Sequence, residues 1–281
     1  MNIYNAIKEG TKILKQKNIK CPNLDCEILL SNVLKKQKKF LILNLEKKIS
    51  DENLKIYKNL INQRSKGKPI AYLTKKKNFW NSEFIIDEGT LIPRPDTEVL
   101  IEATFEIFKN KDYAYVLDIG VGSGCIISSI LKEKPFFYGI GIDICSKSIS
   151  LSKLNAKKLG IENRVKFIKS DVDNFCNGKY DLIISNPPYI KTSDIKYLEK
   201  DVYDFEPKLA LDGGLDGTFK TLKVIKKAST LLKGNGKLVL EIAYNQRSKI
   251  INELRKKRFY INTIIKDYAQ NDRCIISTKI N

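Results

Sequence analysis

The chain of 281 residues contains no histidine, and it has no run that approaches the roughly 18 consecutive apolar residues of a membrane span. Without histidine, any chemistry must proceed without the side chain that most often serves as a general base. The six cysteines are scattered and form no C-x-x-C pair, so we expect free thiols and no metal site. The N-terminus lacks the basic-then-apolar pattern of a signal peptide, and the sequence therefore predicts a cytoplasmic protein without membrane contact.

The charge is strongly one-sided, with 51 Lys and Arg against 32 Asp and Glu, a net charge of +19. One explanation is an electrostatic partner such as RNA or an acidic protein. The other is compositional drift, because the abundant Lys, Asn and Ile share A/T-rich codons. Residues 1–75 hold 17 basic against six acidic residues, a net charge of +11, which favours a basic, partner-facing module in that quarter of the chain.

The segment Asn186-Pro187-Pro188-Tyr189 directly follows residues 180–185, an apolar run that predicts a buried strand. At the end of this strand, the Asn186 side-chain amide and the Pro187 carbonyl provide two neighbouring acceptors. Two such acceptors suit the two hydrogens of a planar –NH2 group, and the Tyr189 ring offers that group a flat face. The segment indicates an enzyme that modifies an amide or exocyclic amine nitrogen, and a proline-rich turn is the plainer alternative.

A glycine-rich turn, residues 120–124, lies between an earlier predicted strand and an apolar helix. Its spacing is G-x-G-x-G, which differs from the G-x-G-x-x-G of dinucleotide-binding loops. Glycines let the backbone approach a ligand closely, and the first turn of the following helix supplies free N–H groups. The turn therefore fits a cofactor without a pyrophosphate.

Acidic residues end the next two predicted strands. Asp143 lies 19 residues after the last glycine of the turn, where an acid in a βαβ unit accepts hydrogen bonds from ribose hydroxyls. Asp171 is placed to accept from an adenine amino group, with Val172 against the ring. Singly, each acid is explained as a strand-end or capping residue. The succession of glycine turn, Asp143, Asp171 and Asn186 at the ends of successive strands indicates one cofactor site.

These segments resemble the class I S-adenosylmethionine-dependent methyltransferases, and within them the HemK-type protein-(glutamine-N5) methyltransferases that act on peptide chain release factors. The resemblance covers nearly the whole chain. Its most specific parts are the strings I-P-R-P-D-T-E at 92–98 and N-P-P-Y-I at 186–190. Further matching segments are 68–73, 79–80, 205–207, 210–217, 241–242 and 266–273. One position departs from the family pattern, since this chain has Val172 where the family often has an aromatic residue.

The resemblance implies that S-adenosylmethionine is the cofactor and that the substrate is the glutamine of the Gly-Gly-Gln motif in class I release factors. The motifs and the resemblance together give three sets of candidate residues. The catalytic candidates are Asn186, Pro187 and Tyr189. The cofactor-binding candidates are Gly120, Val121, Gly122, Ser123, Gly124, Asp143, Asp171, Val172 and Asn186. The substrate-binding candidates are Asn186, Pro187, Pro188, Tyr189 and Arg94. Arg94, between two prolines, is a candidate for anchoring the cofactor carboxylate or the substrate backbone, and a structural surface arginine is the alternative.

The periodicity predicts three parts. Residues 1–75 carry helical patterns, with one apolar face around 24–34 and a second helix after the N-cap candidate Ser50, and we expect a helical bundle that docks the substrate. Residues 76–94 predict a β-hairpin linker that turns at Asn81-Ser82. Residues 95–281 alternate helix and strand, which predicts an α/β fold with a mostly parallel sheet. The resemblance implies that this is a Rossmann-like class I methyltransferase domain, whose seven-stranded sheet ends in an antiparallel edge hairpin. The expected elements are a helix near 96–108 and strands near 115–119, 138–142, 165–169, 180–185, 236–242, 259–265 and 273–279.

Other functions compete with the leading one. A methyltransferase for an exocyclic amine of a nucleic-acid base also uses N-P-P-Y, but the segment between Tyr189 and Gly213 has no room for a target-recognition domain. A sibling enzyme would methylate a ribosomal-protein glutamine, although the strings at 93–98 and 266–273 favour the release-factor branch. A further alternative is a basic RNA-binding protein with a vestigial cofactor fold. The intact motif residues argue against it. We therefore expect a monomer whose partner is a release factor, with no stable nucleic-acid complex.

Overall fold

The computed structural model of the chain describes residues 1–280, which form two compact units. The first unit comprises residues 1–76 together with 199–205, and the second comprises residues 77–198 and the chain from 206 onward. The hairpin that the sequence predicts as a linker therefore falls in the second unit, apart from its first residue. Within the part of the chain that the structure describes, no helix combines the length and the apolar character needed to cross a membrane.

The first unit is helical. Its helices are α1 (Ile3–Gln16), α2 (Pro22–Leu34), α3 (Lys38–Leu43), α4 (Asp51–Ser65) and α5 (Ile70–Thr74), and α9 (Lys200–Phe205) joins it from later in the chain. The Ser50 hydroxyl accepts from the Asn53 N–H and caps α4, as the sequence predicts. A mostly buried ion pair joins Arg64 Nε to Asp25 Oδ2 at 2.7 Å and ties α4 to α2.

The second unit is built on a seven-stranded sheet. Its strands are β3 (Tyr115–Ile119), β4 (Tyr138–Asp143), β5 (Val165–Lys169), β6 (Tyr180–Ser185), β7 (Leu232–Glu241), β8 (Phe259–Lys266) and β9 (Asp272–Lys279), after a separate hairpin of β1 (Lys76–Phe79) and β2 (Ser82–Ile85). The sheet order is β5-β4-β3-β6-β7-β9-β8. Strands β3 to β7 are mutually parallel, and β9 is antiparallel to both neighbours. The predicted class I methyltransferase fold is confirmed.

Apolar runs explain why these strands lie in the middle of the sheet. Residues 116–119 and 182–185 are buried without a break. Successive strand residues point to opposite faces, so unbroken burial requires cover on both faces. The helices that pack on the strands are α6 (Val99–Ile107), α7 (Cys125–Glu133), α8 (Ser146–Lys158), α10 (Phe219–Leu231) and α11 (Arg247–Lys256).

The strand order reverses at β3. The chain runs outward from β3 to β4 and β5, then returns to place β6 on the opposite side of β3. At such a switch point the connections leave in opposite directions and open a crevice beyond the carboxyl ends of the strands. The fold thus fixes where a ligand site can form.

Several element boundaries differ from the sequence-based expectation, most of them by one residue, and three of these differences involve a turn, a helix start and a strand start. The hairpin turns at Trp80-Asn81 rather than Asn81-Ser82. Trp80 adopts a left-handed φ of 50° there, and its backbone N–H donates to the Glu98 carboxylate. The expected helix near 96–108 begins as a 3-10 turn, Pro95–Glu98, before α6. Strand β7 starts at Leu232, four residues early, since a bulge lets the Gly-Asn-Gly stretch continue the strand.

Asp118 is a carboxyl group sealed inside the sheet. It is fully buried in β3, and neither of its oxygens has a hydrogen-bond partner among residues 1–280. Burial raises its pKa to about 7, and the charge of Asp143 adds to this shift. The folded protein therefore holds a proton on Asp118 at pH values where the unfolded chain has lost it.

This raised pKa predicts a pH-dependent effect of Asp118→Asn. Because the folded-state pKa lies above the unfolded value, the contribution of Asp118 to the wild-type free energy of unfolding falls as pH rises toward about 7, by about 1.4 kcal/mol per pH unit. Asparagine does not titrate, so Asp118→Asn does not lose this contribution. The free energy of unfolding of the variant minus that of wild type should therefore rise by about 2 kcal/mol between pH 5 and pH 8. Urea unfolding at both pH values measures the change, with the exposed Asp112→Asn as control. Parallel behaviour of Asp118→Asn and wild type across this range would show that Asp118 does not titrate there.

Candidate active site

A cavity of about 240 Å³ lies at the switch point, beyond the carboxyl ends of β3 to β6. Eight of the residues predicted from the sequence line it: Gly120, Gly122, Asp143, Asp171, Val172, Asn186, Pro187 and Pro188. Five others are outside the lining that the described residues form: Val121, Ser123, Gly124, Tyr189 and Arg94. The structure thus brings most of the candidates into one cavity although they span 69 residues of sequence.

The glycine turn needs glycine for two different reasons. Gly120 and Gly122 have φ values of 78° and 54°, and a Cβ on either would meet nothing within 4 Å. There the left-handed backbone alone requires glycine. Both residues also line the cavity. Gly124, with φ of 79°, begins helix α7, and a Cβ on it would lie 2.9 Å from the Cβ of Ser152. Gly124 therefore allows close packing of the turn on α8.

Asp143 organises the turn as well as lining the cavity. Its Oδ2 accepts from the Gly122 N–H at 2.9 Å, and its Oδ1 accepts from the Cys145 N–H at 2.8 Å. Burial raises the pKa of Asp143, and these N–H groups together with the Ser148 hydroxyl oppose the shift. Each carboxylate oxygen has more than one lone pair, so both can accept a further hydrogen bond from a ligand in the cavity.

Asp171 and Val172 lie at the end of β5. The Asp171 Oδ1 accepts from the Asp173 N–H at 2.8 Å, which closes a tight turn directly after the strand. Val172 is partly buried and packs against the main core of the second unit. The pair thus presents a carboxylate and an apolar surface side by side at one end of the cavity.

Asn186 is the polar side chain at the end of β6. Its Nδ2 donates to the Thr97 Oγ1 at 3.1 Å, and Thr97 is itself buried in the turn that precedes α6. Because the amide nitrogen already donates to Thr97, the Oδ1 remains available to accept a hydrogen bond from a ligand. Pro187 and Pro188 continue the lining from the same strand end.

Tyr189 is anchored behind this strand end. Its hydroxyl donates to the Glu241 Oε1 at 3.2 Å, and its carbonyl accepts from the Gln246 Nε2 at 3.1 Å. The same Gln246 nitrogen donates to the Gly217 carbonyl at 2.9 Å and so joins two loops beside the cavity. Burial, with the charge of Glu241, raises the pKa of Tyr189. The contact between its ring and a substrate stays a prediction.

Arg94 forms an ion pair with Glu206. The distance from Arg94 Nη2 to Glu206 Oε1 is 2.5 Å, and the other Glu206 oxygen accepts from the Ile92 N–H at 3.3 Å. The Glu206 side chain is 2% exposed, whereas that of Arg94 is 35% exposed. Leu91 and Pro207, the chain neighbours of Ile92 and Glu206, line the cavity. The Arg94–Glu206 ion pair therefore holds two walls of the cavity together. This is a structural role for Arg94, and contact with a ligand stays a prediction.

Sequence reasoning missed several residues of the site. Lys220 and Lys223, three residues apart on α10, line the cavity, as do Leu209 and Ala210. The sequence signal for Lys220 and Lys223 was their helical spacing after the Gly-Gly-Leu-Asp-Gly string. The buried polar partners Thr97, Glu206 and Glu241 also went unassigned, because a polar residue in a sequence carries no sign that it will be buried. In residues 1–280 no three His, Cys, Asp or Glu side chains meet in a way that would hold a metal ion.

Comparison with known proteins gives matches along the whole chain. Residues 5–74 match the family described as the PrmC N-terminal domain, and residues 95–202 match the methyltransferase small domain. The release factor glutamine methyltransferase of Clostridium acetobutylicum is 37% identical over 99% of this chain and 99% of its own length. The protein of the same name from Buchnera aphidicola subsp. Schizaphis graminum is 37% identical over 99% of this chain and 100% of its own.

A solved structure supports the fold independently. The ribosomal protein L11 methylase from Lactobacillus delbrueckii subsp. bulgaricus superposes with a TM-score of 0.52 at 20% identity. The match covers 69% of this chain and 84% of that one. At this level of identity the likeness concerns the fold alone, and it is the fold of a methyltransferase.

The Arg94–Glu206 pair predicts a stability effect. Arg94→Ala leaves the buried Glu206 carboxylate with the Ile92 N–H, so the free energy of unfolding should fall by about 1.5–3 kcal/mol. Arg247→Ala is the matched control, because Arg247 pairs with Asp272 but is 53% exposed, and its loss should cost less than about 1 kcal/mol. Urea unfolding of both variants measures the difference. Equal losses would contradict the structural role assigned to Arg94.

Proposed function

The chain is a methyltransferase that belongs to the release factor glutamine methyltransferases, and we propose that it methylates the side-chain amide nitrogen, N5, of the glutamine in the Gly-Gly-Gln motif of class I peptide chain release factors. The proposed methyl donor is S-adenosylmethionine. The observation that carries the proposal is Asn186, which lines the cavity beside Pro187 and whose amide nitrogen already donates to Thr97, so that its oxygen remains available as an acceptor.

The lining of the cavity fits this cofactor. Gly120 and Gly122 line the cavity, and a Cβ on either would meet nothing within 4 Å, which leaves room for close approach of a ligand. Asp143 would accept hydrogen bonds from the ribose hydroxyls, and Asp171 from the adenine amino group, with Val172 against the ring. Bound S-adenosylmethionine supplies a methyl group on a positively charged sulfur. We assign no contact to Val121, Ser123 or Gly124 beyond shaping the turn.

The reaction needs help at the substrate nitrogen, because the lone pair of an amide nitrogen is delocalised into its carbonyl. The Asn186 Oδ1 and the Pro187 carbonyl would accept the two N–H hydrogens, raise the electron density on nitrogen and fix its direction. Fixing the orientation of reacting groups can lower a barrier by about 7–11 kcal/mol in favourable cases. Acceptors set in advance for the positive charge that develops on nitrogen stabilise the transition state further. No metal and no imidazole is required for these steps.

The partner we propose is the intact release factor. The helical unit formed by residues 1–76 with 199–205 holds a strongly basic stretch of chain and none of the cavity residues, which supports a role in docking the protein substrate. We propose that the enzyme works in the cytoplasm as a monomer and forms no stable complex with nucleic acid.

Cofactor affinity should depend on Asp143. Asp143→Ala removes both proposed ribose hydrogen bonds, and each bond to a charged group contributes about 1.5–3 kcal/mol. The affinity for S-adenosylmethionine should therefore fall at least about tenfold, while NAD should not bind detectably. Isothermal calorimetry measures both, with the exposed Asp112→Ala as control. An unchanged affinity in a folded Asp143→Ala protein would rule out the assignment.

Turnover should depend most strongly on Asn186. Asn186→Ala deletes one of the two acceptors for the substrate amide, so the methylation rate on a Gly-Gly-Gln release factor should drop by about two orders of magnitude. Cofactor affinity should change little. Transfer of labelled methyl groups measures the rate, and Asn252→Ala, on the exposed face of α11, serves as control. A wild-type rate in Asn186→Ala would reject the mechanism, and methylation by the wild type of ribosomal proteins or adenine instead of release factors would reject the substrate.

A further inference from the structure

Two lysines of α10 hold the turn that follows β5. The Lys223 Nζ forms an ion pair with the Asp173 carboxylate, 50 residues away in the chain. The Lys227 Nζ, one helical turn further along, donates to the Asp173 carbonyl at 3.0 Å. The helix thus binds both the side chain and the backbone of a single turn residue.

The same turn residue holds the side chain of Asp171. The Asp173 N–H donates to the Asp171 Oδ1 at 2.8 Å. The Asp171 carbonyl is fixed as well, because it accepts from the Ser170 hydroxyl at 2.9 Å and from the Phe175 N–H at 3.2 Å. An unbroken series of polar contacts therefore runs from Lys223 through Asp173 to the Asp171 carboxylate.

The ion pair at the start of this series is partly screened from solvent. The side chains of Lys223 and Asp173 are 27% and 43% exposed. Their hydrogen bond lowers the pKa of Asp173 and raises that of Lys223, so both groups are charged at neutral pH. The charge of Asp171 also raises the pKa of Lys223, which means that the ammonium group lies within electrostatic reach of both carboxylates.

Lys223 lines the cavity together with Asp171 and Val172. Val172 stands where the family often has an aromatic residue, and a valine offers a planar ring less contact area than an aromatic side chain does. More of the recognition of an adenine ring is then left to the hydrogen bond with Asp171. The direction of the Asp171 carboxylate matters correspondingly more in this chain.

We propose that Lys223 is a positioning residue for the cofactor, which acts through Asp173 to aim the Asp171 carboxylate at the amino group of the adenine ring. The inference deepens the proposed function and rests on it for the identity of the cofactor. Lys223 binds the turn after β5 and not the Asn186 segment, so its loss should change cofactor affinity and base selectivity and leave the rate at saturating cofactor as it is.

Two variants break the ion pair with opposite changes in charge. Lys223→Met keeps a long stem beside the cavity and removes a positive charge, whereas Asp173→Asn removes a negative charge and keeps the backbone N–H that holds Asp171. A general effect of charge on the positively charged cofactor would change its affinity in opposite directions in these variants. Loss of positioning should lower the affinity in both, by about two- to fivefold, the range expected for a partly exposed ion pair.

Matched variants complete the series. Lys223→Arg keeps a cation that can pair with Asp173, and it should retain wild-type affinity. Lys226→Met removes an exposed lysine of the same helix that does not line the cavity, and it should also leave the affinity unchanged. In steady-state kinetics, Lys223→Met and Asp173→Asn should raise KM for the cofactor by the same two- to fivefold factor, while kcat stays within about twofold.

The selectivity test uses two ligands that differ only at the base. S-adenosylhomocysteine carries the adenine amino group, S-inosylhomocysteine has a carbonyl oxygen in its place, and neither has the sulfonium charge. Calorimetry on wild type should show tighter binding of the adenine ligand, because a carboxylate accepts from an amino group and repels a carbonyl oxygen. In Lys223→Met and Asp173→Asn the ratio of the two dissociation constants should shrink by about two- to fivefold. A lysine that merely stabilised the fold would leave this ratio unchanged.

The outcomes separate the two proposals. A wild type that binds S-adenosylhomocysteine but methylates no release factor defeats the proposed substrate, and the selectivity ratio still decides the inference. A wild type that binds neither ligand defeats both. Unchanged affinity and selectivity in Lys223→Met and Asp173→Asn overturn the inference, as do affinity changes of opposite sign in the two variants. Matching losses of affinity and selectivity, with wild-type values in Lys223→Arg, support it.

Discussion

The parallel pairing of β3 with β6 is the constraint on which the site depends. The register Val116–Leu182 to Asp118–Ile184 sets the two strand ends side by side, and the buried Ser185 hydroxyl fixes them by donating to the Ile119 carbonyl at 2.7 Å. The glycine turn leaves one of these strand ends and the Asn186 segment leaves the other. A shift of this register would separate the acceptors of Asn186 and Pro187 from the turn, even if every local motif stayed intact.

The second unit buries acidic groups close to this strand end, and they have different consequences. Asp143 and Glu206 are held by backbone N–H groups or an arginine, and they organise the walls of the cavity. Asp118 and Glu241 each keep at least one oxygen without a hydrogen bond from residues 1–280, and burial brings both pKa values to about 7. In a protein without histidine, such buried carboxyl groups are the side chains that change charge near neutral pH.

The excursion between β6 and α10 links the site to the rest of the chain. It begins directly after the Asn186 segment, contributes residues 199–205 to the helical unit, and returns at Glu206 to pair with Arg94. The Ile190–Asp212 bridge and the Gln246 side chain close the base of this excursion. The segment that carries the proposed acceptors is therefore fixed at both ends, which suits groups whose orientation must be set before a substrate binds.

The sequence by itself determined the fold class, the order of the strands along the chain and the position of the glycine turn, Asp143, Asp171 and Asn186 at strand ends. These features follow from apolar runs and turn residues, which act between neighbours in the chain. Only the tertiary structure decided that Asn186 binds Thr97, 89 residues away, that Arg94 binds Glu206, 112 residues away, and that Tyr189 is anchored on Glu241. Contacts of this kind depend on how the sheet and its loops pack together. A polar residue looks the same in a sequence whether it ends in solvent or in the core, because its burial is a property of the elements that close around it.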